Sequence, residues 1–176
     1  MTWNSPITWT VGQTVTFSQL NSQIRDNMLE TAPAKATASG FAAHYASAGA
    51  NSIAERLIKD AVVATLETTA STTYTDLTTS GPSVTVTTGA FAQVFTSCTI
   101  SNSGANDTRA SFDISGATTS APADGRGLLA GNGTQSRGTA SHLMALTAGS
   151  NVFKEQYRAT AGTGSFSQRN LCVVSL

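Results

Sequence analysis

The strongest constraint on folding is a period of two in the last two thirds of the chain. From Ala61 onward, apolar and polar residues alternate in short runs, with no intervening pattern typical of an amphipathic helix. Side chains of a β-strand point alternately to opposite faces, so these runs predict strands that bury one face. The residues that share a face in the clearest runs are Val84, Val86, Val94, Cys98, Ile100, Ala110, Phe112 and Ile114.

Turn signals separate these runs at short intervals. Further strands are predicted at 126–130, 139–146, 151–159 and 169–176, and clusters rich in Gly, Asn and Ser lie between them. Many short strands at this spacing are typical of an antiparallel β-sandwich or jelly roll. Residues 61–176 are numerous enough to enclose such a core. We therefore expect a mainly β protein whose β-sandwich domain spans 61–176.

Residues 1–32 contain both tryptophans and the clearest helical pattern. Leu20, Ile24 and Met28 follow one another at intervals of four, which places them on one helix face, and Ser18 is a suitable N-cap. Pro33 is expected to end the helix because it has no amide hydrogen to donate. A single helix of about a dozen residues is marginally stable alone in water. Its apolar stripe therefore predicts a docking segment.

Residues 33–60 are rich in Ala, Gly and Ser. A turn signal at 48–52 indicates two short extended pieces, whereas residues 53–60 fit either a short helix or a strand. The stretch is too short for a core of its own. We expect it to act as a linker and oligomerisation region through its apolar residues Phe41, Tyr45, Ile53, Leu57 and Ile58.

The composition favours an assembly protein. Charged residues make up 11% of the chain, far below the ~25% of typical globular proteins, and Thr, Ser, Ala and Gly take their place. Such a surface is common where neighbouring subunits cover much of it. The ten basic residues balance ten acidic ones and are scattered, which argues against nucleic acid as a partner. The sequence predicts no signal peptide and no membrane span.

Two cysteines are present, Cys98 and Cys172. In a reducing cytoplasm we expect two free, buried small residues, and a disulfide is the alternative.

Motifs for catalysis are weak, and the prediction is that the chain is not an enzyme. A glycosidase requires two carboxylates across the sugar, but no pair is marked out by spacing. The β-region contains six carboxylates, Glu67, Asp76, Asp107, Asp113, Asp124 and Glu155, and we expect most of them to be solvated. His142 fits a half-buried structural histidine, and neither it nor His44 belongs to a group with metal-ligand spacing. No catalytic residue, metal site or cofactor is predicted.

The N-terminal pattern resembles a known family. The stretch 8–16 (TWTVGQTVT), followed by Leu20-Asn21 and 24–27 (IRDN), is similar to the start of tail-fibre-like and minor tail proteins of phages that infect Actinobacteria. The β-region resembles the domain that often follows, with 74–77 (YTDL), 81–89 (GPSVTVTTG) and 146–151 (LTAGSN). The resemblance implies a location in the virion, a homotrimer and a jelly-roll-like tip.

Such proteins often carry collagen-like or long β-stem repeats, which this chain lacks. A short tail fibre or spike, a baseplate component or a head fibre on the capsid are therefore the forms expected. The expected partners are other copies of the chain and phage tail, baseplate or capsid proteins.

The sequence predicts two sets of site residues. Trp9 with the stripe Leu20, Ile24 and Met28 is expected to anchor the chain in the particle. Candidate receptor contacts for a host-surface glycan are Tyr74, Arg126, Arg137 and Arg169. Tyr157 is expected in the core or at a subunit interface. The alternatives that remain are a capsid decoration protein and a glycan-binding or glycan-cleaving receptor protein.

Overall fold

A computed structural model gives the structure of the protein and describes residues 7–29, 31, 42–46, 53–131 and 133–176. For 42–46 and 53–54 the description covers the backbone alone. The chain divides into two compact units, Met1–Leu57 and Ile58–Leu176. We call them the N-terminal unit and the jelly-roll unit.

The helix of the N-terminal unit begins two residues earlier than predicted. Helix α1 spans Phe17–Leu20 and continues as a π-helical turn over Asn21–Asp26. Thr16, not Ser18, is the N-cap: its hydroxyl accepts from the amide of Gln19 at 3.3 Å, and the Gln19 side chain accepts from the Thr16 amide at 3.0 Å. This reciprocal pair is a capping box, which satisfies two backbone donors at once. The prediction of Ser18 as the cap was wrong because the extended residue of the pair is Thr16.

The ambiguous stretch after residue 52 is a strand. Strand β1, Ala42–Ala46, pairs antiparallel with residues 53–57 of strand β2, Ile53–Val63. The two extended pieces expected on either side of 48–52 are therefore present and paired, although most of 33–52 lies outside the described residues.

The jelly-roll unit consists of two antiparallel sheets. In sheet I, one edge of β10 pairs with residues 58–63 of β2 and with the short strand β3. The other edge of β10 pairs with β5, and β5 pairs with β8. In sheet II the order is β4, β9, β6 and β7. The strand bounds are β3 Glu67–Thr69, β4 Ser83–Thr88, β5 Phe91–Asn102, β6 Thr108–Gly116, β7 Leu128–Ala130, β8 Ser136–Ala145, β9 Gly149–Ala159 and β10 Gly164–Ser175.

This strand order is that of a jelly roll. With β2 and β3 counted as one interrupted strand, eight strands form two four-stranded sheets. Consecutive strands alternate between the sheets, except that β6 and β7 pair with each other in sheet II. The mainly β fold class, with antiparallel sheets in a sandwich, is thereby confirmed.

The core lies between the two sheets, where the alternating residues point inward. All eight residues that the alternation placed on shared faces are buried. Phe112 and Phe153 pack with ring centroids 6.3 Å apart, and Tyr157 and Phe166 at 4.7 Å. Tyr157 is fully buried and belongs to this core.

The two cysteines are free and lie on opposite faces of sheet I. Cys98 is buried in the core, whereas Cys172 is half-buried on the outer face. The expectation of free cysteines is confirmed, although Cys172 is less buried than predicted.

Strand β10 contains a β-bulge that changes which of its residues point inward. Its pairing with β5 advances by three residues, from Ser167 to Asn170, while β5 advances by two. Gln168 occupies the extra position with φ of 49°, in the left-handed region. Beyond this bulge the alternation resumes with the opposite phase. Arg169 therefore points into the core.

The left-handed backbone at Gln168 gives a prediction about stability. Gln168→Gly is expected to change the free energy of unfolding by less than about 1 kcal/mol, because glycine adopts this φ without steric cost. Gln168→Val is expected to lose about 1–2 kcal/mol more, since a β-branched residue tolerates this region poorly. Urea unfolding of the two variants checks this. Equal stability of the two would contradict a left-handed residue 168.

Candidate functional site

The N-terminal unit contains an apolar cavity that brings together three of the four predicted anchoring residues. Its volume is about 410 Å³, and it is lined by Ile7, Trp9, Val15, Leu20, Gln23 and Ile24. All but one of these side chains are apolar. Met28, the fourth predicted anchoring residue, lies outside the lining.

Local hydrogen bonds shape this cavity. Gly12, with φ of +82°, allows the turn in which the amide of Gln13 donates to the carbonyl of Thr10 at 3.1 Å. The turn reverses the chain between Trp9 and Val15. The side chain of Gln23 then accepts from the amide of Ile7 at 3.0 Å, which ties the extended start to the helix.

The anchoring residues are exposed to an extent that is unusual for large apolar side chains. Trp9, Leu20, Ile24 and Met28 are between 40% and 64% exposed, and Val11 and Phe17 are more exposed still. Apolar side chains exposed to this extent are typical of a site that binds another protein. Leu20 is the last residue of α1 and Ile24 lies in the π-helical turn. Their role as anchoring residues stays a prediction.

A second group of side chains forms a polar cluster beside sheet II. Tyr74 donates its hydroxyl to Asp124 at 3.0 Å, and Arg158 donates to both oxygens of Asp124 at 3.0 and 2.6 Å. The guanidinium of Arg158 also lies over the Tyr74 ring, 5.5 Å from its centroid. Arg109 pairs with Asp107 at 3.1 Å and with Asp124 at 3.5 Å. The hydrogen bond from Arg158 lowers the pKa of Asp124 below its usual range.

The structure does not bring the four candidate receptor residues together. Arg126 packs its guanidinium over Phe112, 5.1 Å from the ring centroid, and donates to Ser120 and to the carbonyl of Ala121. Arg137 is exposed on β8, in the other sheet. Of the four, Tyr74 alone belongs to the polar cluster.

Arg169 was predicted as a receptor contact, and this assignment was wrong. Its side chain is fully buried between the sheets. It donates to the carbonyl oxygens of Thr79 at 3.0 Å and Thr65 at 3.3 Å, and its guanidinium lies over the ring of Tyr157, 5.4 Å from the centroid. The bulge in β10 is the physical reason, since it turns a residue near a loop into the core.

Glu155, expected to be solvated, is also fully buried, so this expectation was wrong for that residue. One of its carboxyl oxygens accepts from the hydroxyl of Thr96, and the other accepts from the hydroxyl of Tyr157 at 2.7 Å. Burial raises its pKa to about 7, while these two hydrogen bonds and the charge of Arg169 act in the opposite direction. We call Thr96, Glu155, Tyr157 and Arg169 the buried cluster.

Within the buried cluster, the carboxyl of Glu155 has a raised pKa, as catalytic acids often do. Its polar atoms, however, are directed at one another and at backbone carbonyls inside the core. Burial also raises the pKa of the neighbouring Cys98 thiol and of the Tyr157 hydroxyl. The arrangement orders the core, and a ligand outside the sandwich has no contact with it.

Sequence reasoning missed Arg109 and Arg158, which hold the polar cluster together. A signal was present: both alternate with core residues on β6 and β9, and the register places them directly opposite each other. Two arginines facing each other on one sheet surface need acidic partners. Asp107 and Asp124 supply them from adjacent turns.

The described residues contain no group of three or more His, Cys, Asp or Glu side chains that could hold a metal ion. None of the helices described has the length and apolar character needed to cross a membrane.

Comparison with known proteins gives structural likenesses and no match to a protein-family model or a curated protein. Among solved structures the chain is similar to one titled "Structure of Eiger TNF from S. frugiperda", with 12% sequence identity and a TM-score of 0.44. The match covers 69% of this chain and 92% of the other. The likeness concerns the arrangement of strands.

Proposed function

We propose that this protein is a non-enzymatic structural subunit of a phage particle, a short trimeric tail fibre, spike or minor tail protein. Its N-terminal segment would dock into the particle and its jelly-roll unit would be displayed, with attachment to the host surface as its role. The family resemblance of the N-terminal and β-region motifs suggests this setting.

The observation that carries the proposal is the exposed apolar surface around the N-terminal cavity. Leu20 and Ile24 line the cavity and are each at least 40% exposed, within a segment of little more than twenty described residues. Covering each such side chain contributes roughly 1.5–3 kcal/mol at full burial. A particle protein that covers this surface would supply a large stabilisation.

The jelly-roll unit supports a display role. Its charged groups beside sheet II are internally paired, including Lys154 with Asp76 and Arg158 with Asp124. A glycan that approached Tyr74 would have to displace the guanidinium that already covers its ring. We therefore place architecture before glycan binding, and glycan cleavage last.

Particle incorporation tests the docking role in the full-length chain. The double variant Leu20→Glu, Ile24→Glu is expected to reduce the amount of protein in purified particles at least tenfold, because it buries charge in an apolar contact. Val11→Glu is the matched control, since Val11 is fully exposed but does not line the cavity. Quantitative mass spectrometry of particles provides the measurement.

Normal incorporation of the double variant would refute docking through this surface. Separating capsids from tails before the measurement also tests the alternative of a head fibre or capsid decoration protein. A chain found in capsids would favour that alternative.

A further inference from the structure

The two sheets of the jelly-roll unit present different outer surfaces. Five large apolar side chains of this unit are exposed among the described residues, and three of them, Val62, Phe91 and Leu143, lie on the outer face of sheet I. Half-buried Phe95 and Val174 lie between them in register. The outer face of sheet II instead carries the paired charges described above. The outer face of sheet I is therefore the more apolar of the two.

This outer face also carries one acid and one base, at opposite edges. Asp60 is exposed on β2 and Arg137 is exposed on β8. Neither makes a hydrogen bond or an ion pair within the described parts of the chain, whereas the charges of the polar cluster are paired. The apolar surface of each copy thus has an unpaired acid at one edge and an unpaired base at the other. The acid of one copy can therefore pair with the base of a second copy.

The strands that carry these charges are the edges of sheet I. Within the described ranges, residues 58–63 of β2 pair with β10 alone, and β8 pairs with β5 alone. Open edges next to exposed apolar residues promote association unless something covers them. The chain has few charges with which to blunt them, since charged residues are 11% of its composition.

We infer that the outer face of sheet I is the contact surface between copies of this chain, with Asp60 of one copy meeting Arg137 of the next. The inference rests on the proposed function in that a multimeric particle protein needs such a contact. The family resemblance implies a homotrimer but does not say which surface joins the copies. The inference names that surface and the pair of residues in it. Contacts that run from one edge to the opposite edge of the next copy can close into a ring.

Engineered cysteines test the contact directly in the full-length chain. The variant Asp60→Cys, Arg137→Cys, Cys172→Ser retains no native thiol on this face, because Cys98 is buried. Within one chain the two new thiols cannot pair. Because β10 and β5 lie between their strands, three strand spacings alone separate them by about 14 Å, against the ~7 Å limit for a disulfide. Any disulfide between them must join two copies.

Mild oxidation of this variant is expected to give a ladder of disulfide-linked species on a non-reducing gel. The largest species should be the closed ring, which contains three copies in the proposed assembly. The two single-cysteine variants in the Cys172→Ser background are expected to remain monomeric on the gel. No ladder, or equal cross-linking of the single variants, would overturn the inference. A ladder that stops at two would keep the Asp60–Arg137 contact and contradict the proposed trimer.

A matched pair of leucines tests the apolar part of the surface. Leu143→Glu is expected to raise the protein concentration at half-dissociation at least tenfold, whereas Leu129→Glu is expected to leave it unchanged. Leu143 and Leu129 are equally exposed, at 55% and 53%, but Leu129 lies on β7 of sheet II. Sedimentation velocity measures the assembly, and thermal unfolding checks that both variants fold.

The charge pair is tested by reversal. Asp60→Arg and Arg137→Glu are each expected to weaken assembly, and their combination is expected to restore it. Failure of Leu143→Glu to differ from Leu129→Glu would overturn the inference even if the chain enters particles normally. If Leu143→Glu prevents assembly while the double variant Leu20→Glu, Ile24→Glu still enters particles normally, the result would instead contradict the proposed docking role.

Discussion

Replacing Arg169 by methionine is expected to lower the free energy of unfolding of the jelly-roll unit by about 3–5 kcal/mol at pH 8. Its guanidinium is the positive charge that acts on the buried carboxyl of Glu155, and removing it leaves that carboxylate uncompensated in the core. The guanidinium also donates to the carbonyls of Thr79 and Thr65, which would lose their donor inside the core. Small domains have only about 5–15 kcal/mol to lose.

The loss should depend on pH and on Glu155. At pH 5 the Glu155 carboxyl can remain protonated, so Arg169→Met should cost less than at pH 8. The double variant Arg169→Met, Glu155→Gln should remove this dependence, because its amide is neutral at both values. Urea unfolding followed by circular dichroism at the two pH values measures both effects.

Lys154→Met is the matched control for this substitution. Lys154 lies on β9 of the same unit and forms a surface ion pair with Asp76, so its loss should change stability by no more than about 1 kcal/mol. A small effect of Arg169→Met at pH 8 would contradict the buried position of that guanidinium.

The stability of the protein should fall as the pH rises from 4.5 to 7, and Glu155→Gln should abolish most of this fall. The pKa of Glu155 is raised from 4.5 to about 7 in the folded chain, chiefly by burial. Below pH 4.5 the carboxyl is protonated in both states and its contribution is complete. As the pH rises, the unfolded chain loses its proton first, so folding becomes less favourable until the folded pKa is passed.

The expected fall is about 3 kcal/mol, since each unit of pKa difference corresponds to ~1.4 kcal/mol. Glu155→Gln should therefore be less stable than the wild type at pH 4.5 and at least equally stable at pH 8. Urea midpoints between these values provide the measurement. A wild-type midpoint that rises across this range would contradict the direction of the shift.

Asp124→Asn serves as the control for pH dependence. Arg158 holds the pKa of Asp124 below its usual value, so this group adds stability above that value and loses it as the pH falls through its folded pKa. The variant should therefore be less stable than the wild type by a constant amount between pH 4.5 and 7, where it keeps the fall, and this difference should shrink in more acidic solution. A smaller fall between pH 4.5 and 7 in this variant would contradict the assignment of that fall to Glu155.

The residues that line the N-terminal cavity could be predicted from the sequence in part only. The spacing of Leu20, Ile24 and Met28 predicts a shared face because helical periodicity is local. The cavity also depends on the turn at Gly12, which folds Trp9 back beside the helix, and on Gln23, which binds the amide of Ile7. These contacts join residues that no periodic pattern relates.

For the candidate receptor residues, exposure could be predicted from the neighbouring sequence in one case but not in another. A position next to a turn suggests exposure, and for Arg137 that suggestion agrees with the structure. For Arg169 it fails, because one additional residue in β10 reverses the faces. The sequence contained a trace of this: Phe166 and Leu171 both point into the core although five positions separate them, which a regular strand cannot achieve.

The alternation of side chains by itself determined the strands, their inward faces and hence the sandwich, because period-two burial is a property of each segment alone. The tertiary structure decided the order of the strands in each sheet, the bulge at Gln168 and the burial of both Glu155 and Arg169 in the core. Those features depend on which distant segments become neighbours, and the free energy that selects them comes from contacts absent in any isolated strand.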